Sequence, residues 1–515
     1  MSEVPVRSNS PWPVHPLLFA GYFVLFLYAQ NLGEVALAEV LPVLLASIIG
    51  AGVALLLTGL IWRDLRRGAI LVSVLVVVFF GYRHVFNATA GLPVPTWLPQ
   101  IGWLIFVAFG VLAAWRTRKR LGPVTRGLDL ISGILVLLTL VSIVPHQFGQ
   151  TVSAAETTAP LPIIAGQAAG GPQRDIWYLI FDRYASDRQL SAAYGIDGQL
   201  DEWLSGHGFY VASDSHANYV KTSLSLASSL NLTYLDDLVT RMGATNDDHS
   251  PIFALMKDHV LGRFLKSQGY RFVQVGSPYA PTNVNPNADA NPRYDSASDF
   301  AGAVYDESVI PSLARRLGLV KATPERQRYY DIARFQWATL DGLVDAPGPK
   351  LVFAHFLMPH PPYVFDADGS FIAEEDGSRT VAQGYGRQLT YTDTLIKALM
   401  TRLQALPEER RPIIVLQADE GPYPARYNAD TIGFDWAAAT SEELHMKYGI
   451  LNAYSLPGLA DPGLYSSITP VNSFRLILAR YFGTDTPLLP DREYTSRGKL
   501  RPYDLTEITD RLNAP

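Results

Sequence analysis

Five long apolar stretches occupy the first part of the chain and are separated by short polar loops. They cover residues 15–31, 40–62, 69–85, 98–115 and 128–145. Each is close to the length of about 20 residues that an α-helix needs to cross the hydrocarbon core of a bilayer. Five such stretches in series would be difficult to bury in a soluble core, so the pattern predicts a transmembrane domain of five helices over residues 1–145.

The basic residues of this region predict its orientation. Nine lie before the first stretch or in the loops after the second and fourth, whereas the opposite side carries only Arg83. The side with the excess of Lys and Arg is normally cytoplasmic, so the N-terminus is expected in the cytoplasm. An odd number of spans then places the rest of the chain outside it. The charge pattern therefore predicts a multi-pass membrane protein with an extracytoplasmic soluble domain.

The pattern changes after residue 173, where short apolar runs alternate with amphipathic segments. The runs that predict strands are 176–181, 208–213, 270–276, 350–358, 412–418 and 448–454, and segments that predict helices include 253–268, 325–343 and 382–405. Continuous apolar runs are typical of a sheet buried on both faces. We therefore predict an α/β domain with a mostly parallel central sheet over residues 174–515. An Ala-, Gly-, Thr- and Pro-rich linker over residues 146–173 would join it to the membrane part.

Composition removes several classes of function. Charged residues make up 17% of the chain, below the roughly 25% of an average soluble protein. The first 145 residues carry a net charge of +5 and the remainder −11, which argues against a basic protein with a nucleic-acid partner. The chain has no Cys, which excludes disulfides, thiolate metal sites and cysteine nucleophiles.

Candidate chemistry lies where predicted strands end. Asp182 directly follows the first apolar run, His360 follows the fourth, and Asp419 and Glu420 follow the fifth. Ligands of open α/β sheets bind beyond the carboxyl ends of the strands, so these side chains could converge on a cation. A single acidic residue in such a place is more often a helix cap or part of a solvated turn, but several together favour a metal site.

A hydroxyl-rich segment, NYVKTSLSLASSLN, covers residues 218–231 and places Lys221 beside Thr222. A helix that begins near Thr222 would direct its free N–H groups at an anion. A Thr hydroxyl is a weak nucleophile unless a metal or a base lowers its pKa. The segment therefore predicts either a nucleophile directed at phosphorus or simply a helix with a Ser/Thr cap.

At these residues the sequence resembles the sulfatase-like branch of the alkaline phosphatase superfamily. Within that branch it is similar to membrane-anchored lipoteichoic acid synthases and lipid A phosphoethanolamine transferases, which have five membrane helices and an extracytoplasmic α/β catalytic domain. The resemblance implies that Asp182 in LIFDRYA is a metal ligand and that Thr222 is the nucleophile and a further ligand. The family's late Asp-His-Gly motif corresponds to LQADEGP, with Asp419 and Glu420 as ligands, so that a glutamate replaces the usual histidine.

The resemblance also implies a cofactor. Asp182, Thr222, Asp419 and Glu420 would hold one divalent metal ion through oxygen atoms only. Hard oxygen ligands favour Mn²⁺ or Mg²⁺ over Zn²⁺. The glutamate at position 420 leaves a second interpretation open, in which the metal site is lost and the domain only binds a ligand.

The function implied by the resemblance is that of a metal-dependent transferase. Thr222 would take the head-group phosphate of a membrane phospholipid, of phosphoglycerol or phosphoethanolamine type, and an envelope glycan or lipid would accept it. Lys221 and His360 would bind the phosphoryl group or protonate the leaving oxygen, and we favour His360 over His355 for the substrate-binding histidine. His445 is a candidate for a second metal or a substrate contact. Two alternatives stay open: a hydrolase with the same site, such as a phosphatase or phosphodiesterase, and a non-catalytic protein that binds envelope glycan.

Overall fold

The computed structural model describes residues 12–32, 35, 37–89, 97–116, 121–156, 173–294, 299–319, 324–374, 379–431, 433–497 and 501–513. The helices, in chain order, are α1 (His15–Ala29), α2 (Leu37–Trp62), α3 (Leu65–Thr89), α4 (Trp97–Arg116), α5 (Leu121–Glu156), α6 (Asp187–Gln189), α7 (Leu200–Gly206), α8 (Thr222–Asn231), α9 (Asp236–Met242), α10 (Ser250–Lys257), α11 (Val260–Ser267), α12 (Ala280–Asn283), α13 (Asp299–Glu307), α14 (Ile310–Arg316), α15 (Pro324–Leu343), α16 (Val381–Gln404), α17 (Ala425–Ala429), α18 (Ser441–Tyr448), α19 (Pro470–Phe482) and α20 (Thr509–Leu512). The strands are β1 (Ile176–Phe181), β2 (Tyr210–Val211), β3 (Arg271–Val275), β4 (Lys350–Phe356), β5 (Ile413–Gln417), β6 (Asn452–Ser455), β7 (Tyr494–Ser496) and β8 (Leu505–Glu507).

Helices α1 to α5 correspond to the five apolar stretches. Among the described residues, three helical segments are long and apolar enough to cross a membrane: Leu37–Trp62, Leu65–Arg83 and Leu121–Pro145. The other two apolar segments, His15–Ala29 and Ile101–Leu112, are shorter. Length and composition therefore support three of the five predicted spans, and the number five stays a prediction. Helix α5 continues to Glu156, inside the predicted linker, whereas residues 157–172 of that linker lie outside the described part of the chain.

The polar side chains near the start of α1 have structural partners. The Asp129 carboxylate accepts hydrogen bonds from the backbone N–H groups of Val14, at 3.0 Å, and His15, at 2.8 Å. The imidazole Nδ1 of His15 lies 2.6 Å from the hydroxyl oxygen of Ser73. The first N–H groups of a helix have no partner within the helix, and an apolar medium makes an unpaired polar group costly. Asp129 thus supplies acceptors that α1 lacks.

The contacts within the chain divide it into two compact units. The N-terminal unit contains Met1–Ser153 and also Ala297–Pro324, which come from the middle of the predicted α/β domain. The second unit contains Ala154–Ser296 and Glu325–Pro515. The sequence analysis did not foresee that α13 and α14 pack with the apolar helices. The predicted segment 253–268 is also divided into α10 and α11, because His259 caps a new helix by accepting a hydrogen bond from the Gly262 N–H.

A six-stranded sheet forms the centre of the second unit. Its strand order is β2-β6-β5-β1-β4-β3. Strands β3, β4, β1 and β5 pair in parallel, and β6 runs antiparallel to both β5 and β2. Each of the six predicted apolar runs contains or overlaps one of these strands, so the predicted α/β domain with a mostly parallel sheet is confirmed. The pair β7–β8 forms a separate small sheet.

Both faces of this sheet are covered, as the continuous apolar runs require. All six residues of β1 are buried. Trp177, Leu179 and Phe181 pack on one side, in a core that includes residues of α15 and α16. The alternate residues of the same strand pack on the other side, with α8 and α19. Because successive side chains of an extended strand point to opposite faces, alternate residues of β1 contribute to the two apolar cores.

Strand register positions the candidate site. Ile180 of β1 pairs with His355 of β4, and the Asp182 N–H donates a hydrogen bond of 2.8 Å to the Phe356 carbonyl. Strand β5 ends at Gln417, two residues before Asp419. The carboxyl ends of the adjacent parallel strands β4, β1 and β5 therefore bring His355, Asp182 and Asp419 to the same edge of the sheet.

Candidate active site

Three buried side chains meet at this edge of the sheet. Asp182, His355 and Asp419 each offer one ligand atom, and these atoms all lie within 4.8 Å of one another. The convergence of Asp182 and Asp419 follows from their positions after β1 and β5, as the sequence analysis expected. His355 belongs to β4 itself, and the sequence analysis favoured His360 over it for a substrate contact.

Most of the possible ligand atoms of this group have no hydrogen-bond partner in the described part of the chain. Within the described residues, neither oxygen of Asp419, nor Oδ1 of Asp182, nor Nε2 of His355 takes part in a hydrogen bond that meets normal geometry. All three residues are at most 4% exposed. A buried carboxylate without a compensating partner costs several kcal/mol. The donor set therefore fits a divalent cation, which would be coordinated by just these atoms.

The hydrogen bonds around His355 leave one ring nitrogen available. Its Nδ1 lies 3.0 Å from the Thr282 hydroxyl, which can donate its own proton to the Tyr279 carbonyl at 3.2 Å or to Ser277 Oγ at 2.7 Å. Nε2 is 3.7 Å from Asp182 Oδ2. Burial lowers the pKa of His355 to about 3, so the ring is neutral at neutral pH. A metal-binding histidine is usually a neutral imidazole that coordinates through one ring nitrogen and forms a hydrogen bond through the other, here Nε2 and Nδ1.

Thr222 lies beside the same group. It is the first residue of α8, and Lys221 is the N-cap residue, which confirms that a helix starts there. Burial, followed by the neighbouring Glu420, raises the pKa of Asp419 to about 7, and the Thr222 hydroxyl close to that carboxylate opposes the shift. Burial and the two neighbouring carboxylates also raise the pKa of Asp182 well above its usual range. A bound cation would reverse both shifts by favouring the ionised forms.

Glu420 has cationic partners. Its Oε1 lies 2.8 Å from Lys447 Nζ and 3.6 Å from Arg183 Nε. Burial lowers the pKa of Lys447 to about 7, although Glu420 acts in the opposite direction. A Cβ at position 421 would lie 2.3 Å from the Met446 carbonyl oxygen, so only glycine allows α18 to bring Lys447 so near. The structure thus gives Glu420 an ion-pair role, and its role as a metal ligand stays a prediction.

Three cations surround one tyrosine ring next to this pair. Arg183, Lys221 and Lys447 place their charged groups 4.2, 4.9 and 3.4 Å from the centre of the Tyr423 ring. Lys221 also donates hydrogen bonds to the hydroxyls of Tyr423, at 3.1 Å, and Tyr427, at 2.6 Å. Cations over an aromatic face are stabilised by its quadrupole. The arrangement concentrates positive charge beside the carboxylates, where an anionic substrate would be attracted.

Sequence reasoning missed three residues of this surrounding shell. Arg183 follows Asp182 directly and adopts a left-handed backbone with φ of 62°, which is uncommon for a residue other than glycine and often marks a functional site. Its position in IFDRYA was the available signal. Lys447 and Tyr423 had no comparable signal, because a lysine in a helix and a tyrosine after a turn are ordinary surface features in a sequence.

His360 lies in the loop after β4. Its carbonyl accepts a hydrogen bond of 2.8 Å from the side chain of Gln388, and its own Nδ1 is directed at the Pro361 carbonyl. Burial and the charge of Arg183 hold the pKa of His360 well below its usual range. The ring is therefore neutral and lies in the electrostatic environment of Arg183, and its catalytic role stays a prediction.

His445 is not part of the candidate metal group among the described residues. Its two ring nitrogens lie 2.8 Å from the Ser441 carbonyl and 3.0 Å from the Leu512 carbonyl. The same ring lines a polar cavity of about 430 Å³ together with His216 and Glu493. The structure gives His445 a role in connecting α18 and α20, and its part in a second metal site or a substrate contact stays a prediction.

Comparison with known proteins gives the fold of this domain. Residues 198–447 match the family model described as Sulfatase. The match spans just under half of the chain and includes Thr222, His355, His360, Asp419 and Glu420. It confirms the resemblance to the sulfatase-like branch of the alkaline phosphatase superfamily. No curated protein matches the chain.

Several solved structures are similar to the chain. The C-terminal periplasmic domain of EcEptC from Escherichia coli has 13% sequence identity, with 68% of this chain and 96% of that chain covered and a TM-score of 0.42. The integral membrane protein lipooligosaccharide phosphoethanolamine transferase A (EptA) from Neisseria meningitidis has 11% identity, with coverages of 92% and 95% and a TM-score of 0.42. The phosphonate monoester hydrolase of Agrobacterium radiobacter has 12% identity, with coverages of 62% and 75% and a TM-score of 0.39.

Proposed function

We propose that this protein, in which a sulfatase-like domain follows a series of apolar helices, is a membrane-bound, metal-dependent transferase of phospholipid head-group phosphate. The observation that supports this most directly is the position of Thr222, at the start of α8 and beside the buried Asp182–His355–Asp419 group. The acceptor is an envelope glycan or lipid. The protein is placed in a bacterial-type inner membrane with a cytoplasmic N-terminus and a periplasmic α/β domain.

Asp182, His355 and Asp419 would hold one divalent ion, with the Thr222 hydroxyl beside it. When bound, such an ion lowers the pKa of a neighbouring hydroxyl and neutralises charge on phosphoryl oxygens. A donor set that includes a histidine nitrogen is compatible with Zn²⁺ as well as Mn²⁺. The preference for Mn²⁺ or Mg²⁺ depended on an oxygen-only set with Glu420, so it stays a prediction.

Thr222 performs the first step. Its Oγ attacks the phosphorus of the lipid head group, the bond from phosphorus to the diacylglycerol oxygen breaks, and that oxygen takes a proton while Thr222 loses one. The phosphothreonine keeps the head group. In the second step a hydroxyl of the acceptor attacks the same phosphorus, the Oγ–P bond breaks and Thr222 regains a proton.

The surrounding groups orient the phosphoryl oxygens. The free N–H groups at the start of α8 would face an anion bound near Thr222, and Arg183 and Lys221, both at the Tyr423 ring, would add positive charge to attract it. His360 is neutral at neutral pH because its pKa is lowered. It can therefore donate a hydrogen bond to a phosphoryl oxygen or accept the proton of an incoming hydroxyl.

The experiment uses the full chain in vesicles that contain phosphatidylglycerol and phosphatidylethanolamine. Peptide mass spectrometry after incubation should find a head-group phosphate on Thr222, and the mass of the adduct identifies the donor. Thr222→Ala should abolish both adduct and turnover, whereas Ser223→Ala, the next residue of the same helix, should keep them. Full turnover by Thr222→Ala would exclude the covalent mechanism.

The acceptor separates transferase from hydrolase. With labelled donor lipid, a transferase should release diacylglycerol much faster when a glycan acceptor is added, and the label should appear on that acceptor. Release of free labelled head-group phosphate at the same rate with and without acceptor would indicate a hydrolase. Absence of both bound metal and adduct would favour the non-catalytic interpretation.

A further inference from the structure

The excursion formed by α13 and α14 (residues 299–316) is anchored to the ends of the apolar helices. Phe300, at 1% exposure, and Val304 of α13 are buried in one cluster with Val24 and Tyr28 of α1. The same cluster contains Val40, Phe80 and Ile143 from α2, α3 and α5. Residues 299–316 therefore interrupt the sulfatase-like domain in sequence and pack on the apolar helices of the N-terminal unit.

Hydrogen bonds and an ion pair connect residues 306–309 to the second half of α3, at the same end of the bundle. The Val309 N–H donates a hydrogen bond of 2.9 Å to the Phe79 carbonyl, in the second half of α3. The guanidinium of Arg83, one turn further along that helix, lies 3.3 Å from the Asp306 carbonyl and 3.7 Å from the Glu307 carboxylate. Tyr28 is near the last residue of α1 and Val40 near the first residue of α2. Residues 299–316 thus pack at one end of the bundle, where α1 ends and α2 begins.

One face of α14, extended by the residue that follows it, is apolar and exposed in the described part of the chain. Ile310, Leu313 and Leu317 are 40%, 52% and 64% exposed. Their spacing of three and four residues places them on one face of a helix. Leu317 directly follows Arg316, the last residue of α14, and Leu319, two residues further on, is also exposed. Soluble proteins rarely leave such a contiguous group of large apolar side chains in water.

From this juxtaposition we infer that α13 and α14 form an interfacial element whose exposed leucines insert into the outer leaflet of the membrane. The inference rests on the proposed membrane insertion of α1 to α5. A short amphipathic helix with one apolar face lies in the plane of the interface, at the boundary between head groups and acyl chains. The contacts of α13 and of Val309 with α1, α2 and α3 hold the start of α14 at the bundle end where that boundary occurs, which is why lipid is the occupant we assign.

The natural absence of cysteine allows a clean test. Single cysteines introduced as Leu313→Cys and Leu317→Cys in the full chain are spin-labelled, and the protein is reconstituted in phosphatidylethanolamine/phosphatidylglycerol bilayers. Collision with oxygen, which concentrates in lipid, is compared with collision with a water-soluble nickel complex. Ile49→Cys, in the middle of α2 and 62% exposed, reports lipid contact, and Val381→Cys, at the start of α16 and 55% exposed, is the matched control in the second unit.

We expect the ratio of oxygen to nickel collisions at positions 313 and 317 to be several-fold higher than at position 381. Ratios equal to that of position 381, with position 49 still in lipid, would overturn the interfacial assignment and leave the membrane anchor intact. Low accessibility to both reagents would also overturn it, because it indicates a protein partner such as a second copy of the chain. If position 49 itself is in water, the proposed membrane insertion fails first.

Discussion

The buried pair of Glu420 and Lys447 allows the role of the unusual glutamate to be decided. The two charged atoms are 2.8 Å apart, and the side chains are 2% and 0% exposed. Removal of one partner from such a pair costs about 3–5 kcal/mol, because the other charge is left buried without compensation. Replacement of both partners by neutral side chains of similar size is often close to neutral. We therefore expect Glu420→Gln and Lys447→Met each to be destabilising and the double variant to recover most of the loss.

The size of the effect can be measured by thermal unfolding of the full protein in detergent. With about 2 °C per kcal/mol for a domain of this size, each single variant should lower Tm by about 6–10 °C. The double variant should return to within about 3 °C of the natural protein. Because the two single losses together amount to at least about 12 °C, this corresponds to a coupling of at least about 9 °C, or about 4–5 kcal/mol at the same conversion. The matched control is the exposed pair of Arg263 and Asp258, at 2.7 Å with 41% and 59% exposure, for which coupling below about 1 kcal/mol is expected.

Metal content completes the test. If Asp182, His355 and Asp419 hold the ion, Glu420→Gln should still bind one divalent ion per chain in elemental analysis. Loss of the ion in Glu420→Gln, with no recovery of Tm in the double variant, would refute the ion-pair role. That result would instead support glutamate as the replacement for the family's histidine ligand.

Three further predictions concern the surroundings of the site. Thr282→Val removes the hydrogen bond to His355 Nδ1 and should weaken metal affinity about 10–100-fold in a chelator competition assay; unchanged affinity would contradict the proposed ligand. Burial raises the pKa of Asp393 to about 7, so its contribution to stability is present below pH 4 and is lost as pH rises through 7. Between pH 5 and pH 8.5 the free energy of unfolding of Asp393→Asn should therefore rise, relative to that of the natural protein, by at least about 1.4 kcal/mol, the equivalent of one pKa unit. A difference in Tm that does not change with pH would contradict this prediction. Gly421→Ala should strongly lower Tm because the added methyl group would contact backbone carbonyl oxygens of α18. Gly342→Ala is the control, because a Cβ at that position has no atom within 4 Å. Equal changes in Tm for the two variants would contradict the steric argument.

The six strands of the central sheet were predictable because each lies in or overlaps an apolar run, whereas β7 and β8 were not predicted. Asp182 and Asp419 were predictable for a related reason, since parallel strands deliver the residues that follow them to one edge. His355 was undervalued because it is embedded in an apolar run, where a histidine is more often a core residue. Lys447 comes from a helix 28 residues after Asp419, and no local pattern indicates that α18 turns it inward.

The excursion α13–α14 was hidden for a different reason. Its segment is short, and its polar and apolar residues alternate as in any surface helix of an α/β domain. What distinguishes it is the burial of Phe300 and Val304 against helices more than 150 residues earlier in the chain. Such a contact is a long-range tertiary property, and one sequence without aligned relatives does not carry it.

The balance of charge in the site connects these observations. Asp182, Asp419 and Glu420 supply three negative charges, and Arg183 and Lys447 supply two positive ones, all of them in or beside one buried cluster. With every group ionised these five groups have a net charge of −1; Lys221, the third cation at the Tyr423 ring, brings the total to 0, and a divalent ion would raise it to +2. The phosphodiester of the proposed donor carries one negative charge and would be attracted to the loaded site. The pairing of Glu420 with Lys447 compensates the charge of the glutamate beside the metal group, and it would leave a bound ion free to attract that phosphodiester.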